Sequence, residues 1–547
     1  MRTATVLLCV ALQAPLALGQ LSIAPTTTLT AQTGNNTSAA STFTTQTNGN
    51  LGAANISKMP IRSLLYPGST TRIYAHFMPW FGGSNHMNVG YRSDDPAQVK
   101  RQVTDMISRG ISGVIIDWYG PNNARENNTT IYMMREAETR SGFEFAVMED
   151  VGALRSCAGI AGCDVTQRII DDLNYAANTF YGSKAYMRRD GRPVVFFFGV
   201  DAYPLDWNRV RAGAIGNPLF VFRNSSAYTH AQTNGGFSWV GISSTDPNNP
   251  GAGYLGGFYS TALKYPAQKT FGSAYPGFND SLAAWAPTPP RIVNRNCGAT
   301  WLATMAEAGK WYSTANQLQE FQLVTWNDYE EGTELESGID NCVRISAAVN
   351  GKQLSWSVTG DPATIDHFVV FISLDGENLM VLTNLNAAQR ALDLGSFNLS
   401  PGSYTLYAQA YAKATMRNQM SGPVAYNIGA VVQILSPGSG TQVSTSFRLV
   451  ASATTVAPVK TMRVYLDNAL VVTRSGTNYL DASVSAPSGK RKLRVEALDN
   501  LGATVSSSII LQVKKGGTRT TSGTGGTGGT ATTRTTLKVE RPTRGPR

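Results

Sequence analysis

Residues 59–342 alternate between short apolar runs and amphipathic stretches, and no other feature limits the possible folds of this chain so strongly. The apolar runs fall at 73–80, 113–119, 143–151, 193–200, 218–222, 237–243, 270–275 and 320–326. Helical patterns at 96–109, 166–181 and 299–315 lie between several of them. A strand apolar on both faces must be covered on both faces, which is the signature of a parallel sheet with crossover helices. Eight such strands within roughly 280 residues predict an α/β chain folded as a (β/α)8 TIM barrel. A doubly wound open sheet shares the alternation, but no phosphate-cradling glycine motif follows the first strand.

Beyond Cys342 the texture becomes all-β, so the barrel is expected to be followed by two immunoglobulin-like sandwich domains. The first, 343–428, has strands at 353–358, 367–373 and 403–411, separated by the turn signals Asp375-Gly376 and Pro401-Gly402. Its Leu354-Ser355-Trp356 and Tyr404-Thr405-Leu406-Tyr407 segments resemble a fibronectin type III module. The second, 429–514, opens with Ser436-Pro437-Gly438 and runs through 462–466, Asp467-Asn468 and 491–498; it resembles a bacterial immunoglobulin-like module. Such modules space or tether a catalytic unit, so a chain ending near Cys342 is expected to keep its chemistry.

Secretion is expected from the first residues. Arg2 provides a positive start, Val6 to Leu12 an apolar core, and Ala17 and Gly19 the small residues of a cleavage site, giving a signal peptide over 1–19. That apolar core is too short to span a bilayer, and no later run is long enough either, so no integral membrane span is expected. Residues 20–58 are too rich in Ser, Thr and Asn to pack and read as a linker. With Cys9 removed, Cys157, Cys163, Cys297 and Cys342 form an even set suited to disulfides in an oxidising compartment. Three connectivities are open; the short spacing favours a local Cys157–Cys163 staple, with Cys297–Cys342 tying the loop after strand seven to the barrel's end.

A net charge of +10 invites a nucleic-acid reading. However, Lys514, Lys515, Arg519, Arg534, Lys538, Arg541, Arg544 and Arg547, opposed only by Glu540, carry about seven of those charges. The Gly/Thr-rich tail over 515–547 is therefore read as a solvated extension able to touch acidic cell-surface or matrix polymers, and no nucleic-acid partner is expected.

In a (β/α)8 barrel the C-terminal strand ends converge on one site. They supply His76 and Trp80 from strand one, Asp117, Trp118 and Tyr119 from strand two, Glu149 and Asp150 from strand three and Tyr275 from strand seven, with Glu149 taken as the binding carboxylate of strand three. Strand eight supplies Asn327, Asp328, Tyr329 and Glu331. Aromatic faces stack on the C–H faces of sugar rings and carboxylates bond hydroxyls and move protons, so the expected partner is a carbohydrate. Asp328 and Glu331 stand three apart beyond an apolar strand and before Gly332. Glycoside cleavage needs one carboxyl to protonate the leaving oxygen and a second to act as base or nucleophile. This pair is the candidate catalytic couple, and Glu330, Glu334 and Glu336 are its bland neighbours. The pairing requires the strand to end near Trp326 and the chain to turn, because in a continuing strand Glu331 would face away from Asp328. The acidic run has no calcium-loop spacing and the cysteines no zinc spacing, so neither metal nor cofactor is expected.

Together these segments resemble glycoside hydrolase family 99, which includes endo-α-mannosidases and endo-α-mannanases. The resemblance is carried by Asp94-Asp95-Pro96, Pro79-Trp80-Phe81, Val147-Met148-Glu149, Pro276-Gly277-Phe278-Asn279-Asp280 and Asn327-Asp328-Tyr329-Glu330-Glu331-Gly332-Thr333, spread in order over residues 72–337. Asp328 stands where that family has Glu, and Ala75-His76-Phe77-Met78 replaces its paired tyrosines. Both departures resemble glycoside hydrolase family 71, the α-1,3-glucanases. The resemblance implies an endo-acting hydrolase of α-mannan or α-glucan. It further implies Asp328 as base on the substrate's 2-hydroxyl and Glu331 as general acid and then base. The alternatives are a non-catalytic glycan-binding or adhesion protein on a barrel scaffold, or a surface protein whose sandwiches and tail are the working parts.

Overall fold

A computed structural model describes residues 55–514 except 244 and 377. The expected signal peptide, most of the linker and the basic tail lie outside the described residues. Eight parallel strands close a barrel: β1 Arg72–Phe77, β2 Gly113–Trp118, β3 Glu144–Asp150, β4 Arg192–Phe198, β5 Leu219–Arg223, β6 Gly235–Phe237, β7 Lys269–Ala274 and β8 Glu320–Leu323. Each pairs with its sequence neighbour, and β8 returns to β1 through Arg72↔Glu320 to Ala75↔Leu323. The central strands are buried along almost their whole length, which is why they read as unbroken apolar runs.

Seven helices surround the sheet: α1 Pro96–Ser108, α2 Ala124–Glu138, α3 Val151–Ala158, α4 Val165–Thr179, α5 Trp207–Gly213, α6 Ala252–Ala262 and α7 Ala299–Glu307. Their starts are written locally. Asp95, Asp150, Asp164 and Asp206 each accept a hydrogen bond from a first-turn amide, and Pro96 fills a position that needs no N–H donor. The end opposite the site is closed by ions. Glu144 accepts from Arg72 at 2.9 Å, Tyr74 at 2.8 Å and Arg189 at 3.2 Å, and Arg189 also pairs with Glu320.

Several elements end earlier than the sequence reading places them, strand one among them, at Phe77 rather than Trp80. Strand six ends at Phe237 rather than running to residue 243, because the amides beyond it leave the ladder for tyrosine hydroxyls. Trp239 N donates to Tyr254 Oη at 2.7 Å and Gly241 N to Tyr275 Oη at 3.0 Å. Strand eight ends at Leu323, after which Trp326 N donates to the carbonyl of His76 and the chain begins to turn. The last helix stops at Glu307, followed by a 3-10 turn over Ala308–Lys310 at Gly309.

Antiparallel sheets follow the barrel. Strands Arg344–Asn350, Gln353–Thr359 and Ala391–Asp393 form one sheet, and Ile365–Ser373 with Met380–Asn386 and Gly402–Ala412 the core of another; they enclose Trp356, Phe368 and Leu406. A second pair of sheets over 431–514 encloses its own core of Leu449, Val464, Leu480 and Val495. The first unit is not merely tethered: Ala412, Ala414 and Met416 belong to the barrel's core cluster. Both disulfides of the expected pairing form, Cys157–Cys163 and Cys297–Cys342, the latter close to this junction. No helix among the described residues is long and apolar enough to cross a membrane.

Candidate active site

The C-terminal strand ends open into a cavity of about 890 Å³. Strand alternation decides who enters it. Trp118 pairs with Glu149, Glu149 with Phe197, and Phe197 packs on Trp207 of α5, so this row faces the helices. The alternate row, Asp117, Asp150, Phe198 and Arg223, lines the cavity. His76 and Trp80 join from β1 and its loop, Tyr119 from the end of β2, and Asp328 and Glu331 from the segment after β8.

That last segment is a tight turn built around Asp328. Its Oδ1 accepts from the amides of Glu330 at 3.0 Å and Glu331 at 2.9 Å, and its own amide donates to Thr325 Oγ1 at 2.8 Å. Gly332 completes the turn at φ +60, where a Cβ would press on Asn279 at 3.3 Å. The turn swings Glu331 into the cavity beside Asp328, and Trp285 Nε1 donates to Glu331 Oε1 at 3.0 Å. Glu330 turns away. It is buried, accepting from Met87 N at 2.8 Å and lying 2.9 Å from His86 Nδ1, and so anchors the loop after β1. On that loop the His86 ring stacks on Trp80 at 4.9 Å.

Burial dominates the electrostatics. It pushes the Asp328 carboxyl well above the usual carboxylate range, with the Glu331 charge adding and the two turn amides opposing. Glu331 is also raised by burial, against the Trp285 hydrogen bond and Arg291. Burial raises Asp117 well above its ordinary value, helped by Asp150, Asp328 and Glu331. Asp150 is raised by burial to about 6, opposed by the Gly152 amide and the Tyr119 hydroxyl. Gly152 has to be glycine here, since a Cβ would meet the Tyr119 ring at 2.1 Å. His76 is pushed down to about 3 by burial. The cavity therefore holds several carboxylates that compete for few negative charges. His76 Nδ1, Trp80 Nε1 and Asp117 Oδ1 are buried in its wall without a hydrogen-bond partner, positions a polar ligand would satisfy.

Of the residues singled out from sequence, His76, Trp80, Asp117, Asp328 and Glu331 meet in the cavity, and five do not. Trp118 is buried against Tyr175, its Nε1 donating to Asn127 Oδ1 at 3.3 Å. Glu149 lies in the same outer layer, where the charges of Asp172 and Arg168 act on it. The Tyr275 hydroxyl straps the loop after β6, donating to Pro250 O at 2.7 Å. Asn327 clamps the backbone of Met78 through both side-chain atoms at 2.9 Å. The Tyr329 hydroxyl donates to Glu336 at 3.0 Å. In exchange Asp150, the other acid at the end of strand three, lines the cavity in place of Glu149, and Arg223, Trp239 and Trp285 join it. Arg223 stands one residue past an expected strand, where the strand-end rule applied to strand five finds it. Asp150 needs the register of β3 against β2. Trp285 lies in an irregular loop that no periodicity marks.

No metal-ligand cluster occurs among the described residues. No protein-family model matches the sequence, and no curated protein matches it. Among solved structures, the chain is similar to a GH99 endo-alpha-mannosidase from Bacteroides thetaiotaomicron, at 16% identity and TM-score 0.39 over 49% of this chain and 87% of that one. It is also similar to a modular endo-beta-1,4-mannanase from Cellulomonas fimi, at 13% identity and TM-score 0.31 over 84% of this chain and 99% of that one. Fibronectin(III)-like modules of Clostridium thermocellum CbhA match at 24% identity and TM-score 0.14, over 15% of this chain and 94% of theirs.

Proposed function

We propose that the chain is a secreted, endo-acting α-glycoside hydrolase that cleaves an α-mannan or α-glucan, with Asp328 and Glu331 as its catalytic couple. One observation carries the reading: a single turn delivers both carboxylates into a cavity walled by indoles and further carboxylates. Glu331, raised by burial, is suited to hold the proton that the leaving oxygen must receive. Trp285 binds only one of its oxygens, leaving the other to carry that proton. Asp328 spends one oxygen on the turn, and the other is available to take the proton of the attacking hydroxyl, the substrate's own 2-hydroxyl in this reading. Burial makes the ionised form of Asp328 the costlier one, and hydrogen bonds from bound sugar would stabilise it.

Trp80, Trp239 and Trp285 all line the cavity, Trp80 and Trp285 edge to face at 6.4 Å, and these indoles support a carbohydrate ligand. The two disulfides support an oxidising, extracellular destination. No cofactor enters this scheme. Product analysis after incubation with a panel of α-linked mannans and glucans tests it: internal cleavage of one polymer supports the reading, and inertness toward all of them removes it.

A further inference from the structure

Two cations stand on the cavity wall with no carboxylate of the described residues at ion-pair distance. Arg223 ends β5, its guanidinium 4.2 Å from the Phe198 ring centroid. Among the described residues it donates no hydrogen bond and no carboxylate reaches ion-pair distance, although it is largely buried and burial lowers its pKa. The charges of Asp150 and Glu331 act on Arg223 from beyond contact, while Asp150 Oδ1 is held by the Gly152 amide at 2.6 Å and Glu331 Oε1 by Trp285 at 3.0 Å. Arg155 rises from α3 into the same cavity, exposed and also free of any ion pair, on a helix stapled by Cys157–Cys163. Arg291, which also lines the cavity, by contrast holds Asp280 at 2.7 Å.

A partly desolvated guanidinium with no anion in direct contact gains from a ligand that supplies one. Its planar fork matches two oxygens of a carboxylate, sulfate or phosphate, and the Phe198 face beneath it limits its freedom before binding. Asn224, the next residue, lines the cavity too, and its Oδ1 is taken by the Tyr254 hydroxyl at 2.7 Å while its NH2 donors are unused by the protein. We propose that Arg223 and Arg155 form an anion subsite that takes an acidic substituent on a sugar ring bound in this cavity. The inference rests on the glycan reading of the cavity and narrows it to a polymer bearing uronate, sulfate or phosphate groups.

Calorimetric titration of the full chain with glucuronate and with glucose tests it without reading hydrolysis. Glucuronate is expected to bind about tenfold or more tighter than glucose, as a charge-assisted hydrogen-bond pair supplies. Arg223→Gln should abolish that preference, Arg155→Gln should reduce it, and neither should change glucose binding by more than about twofold. Competition by inorganic sulfate or phosphate identifies which oxyanion the fork accepts. Should Arg223→Gln melt early, Arg223→Lys serves in its place, keeping the charge but losing the fork and most of the preference. Equal binding of glucuronate and glucose by the wild type, or a preference that survives both substitutions, overturns the subsite. A chain that prefers glucuronate yet cleaves no glycan keeps the subsite and removes the hydrolase reading, so the two fail separately.

Discussion

Cutting the chain after Cys342 should unfold the barrel, whereas cutting after Ile428 should not. The difference comes from the short loop that follows strand Gly402–Ala412. Met416 is fully buried and Ala412 and Ala414 share its cluster with barrel residues. Losing that apolar contact costs about 3–5 kcal/mol, as for large-to-small changes in a core. The same loop satisfies barrel polar groups: Trp301 Nε1 donates to Ala414 O at 3.2 Å, Ile339 N to Thr415 O at 3.0 Å and Ser57 N to Met416 O at 2.8 Å. The Ile339 and Asn55 carbonyls accept from Arg417 N at 2.9 Å and Asn418 N at 2.8 Å. At about 1 kcal/mol each these bonds add about 5 kcal/mol, bringing the loss to about 8–10 kcal/mol, within the whole stability of a typical domain. The hydrogen-bond partners of residues 430–514, in contrast, lie within that unit. Circular dichroism melts of chains ending at 342 and 428, with size-exclusion profiles, read the difference. In the full chain, Met416→Ala should cost about 2–5 kcal/mol. A chain ending at 342 that melts cooperatively within about 3 °C of the longer one would show that the 412–418 loop does not hold the barrel together.

Three further outcomes are expected. Glu330→Gln keeps an acceptor for Met87 N and a partner for His86, so turnover should fall by less than about tenfold, while Glu330→Ala should destabilise by about 1–3 kcal/mol in a urea titration. Asp150 is raised to about 6 from 3.8, so its favourable contribution is complete below about pH 4 and is lost as pH rises through 6. Asp150→Asn, which keeps the cap to Gly152, should therefore gain up to about 3 kcal/mol relative to wild type above pH 7 and nothing near pH 4, read by denaturant melts at both values. The Trp285 hydrogen bond favours ionised Glu331, so Trp285→Phe should move the basic limb of a pH–rate profile upward; an unmoved or lowered limb contradicts the assigned contact.

Much of the barrel was legible because parallel strands buried on both faces leave unbroken apolar runs, and the aspartates before the helices mark their starts. The site was legible at its strand-eight turn, where an Asp, a Glu three residues on and a glycine in positive φ stand in sequence order. It was not legible where one residue decides a face. Glu149 and Asp150 are adjacent acids at one strand end, and only the pairing of Trp118 with Glu149 shows that Asp150 turns inward. Tyr275, Asn327 and Tyr329 look like ligand-binding side chains, but each spends its polar atoms holding a loop. The contact of Met416 with the barrel crosses a boundary that composition alone draws cleanly.

The role proposed for Glu331 is donation of the proton to the leaving oxygen. It is tested most directly by comparing wild type and Glu331→Gln on the α-linked polymer that the wild type degrades, following reducing ends at matched folding. The account predicts a rate lower by about 10²–10⁴-fold in the Gln protein with an unchanged melting profile. A Glu331→Gln protein that cleaves at a rate near that of wild type contradicts it.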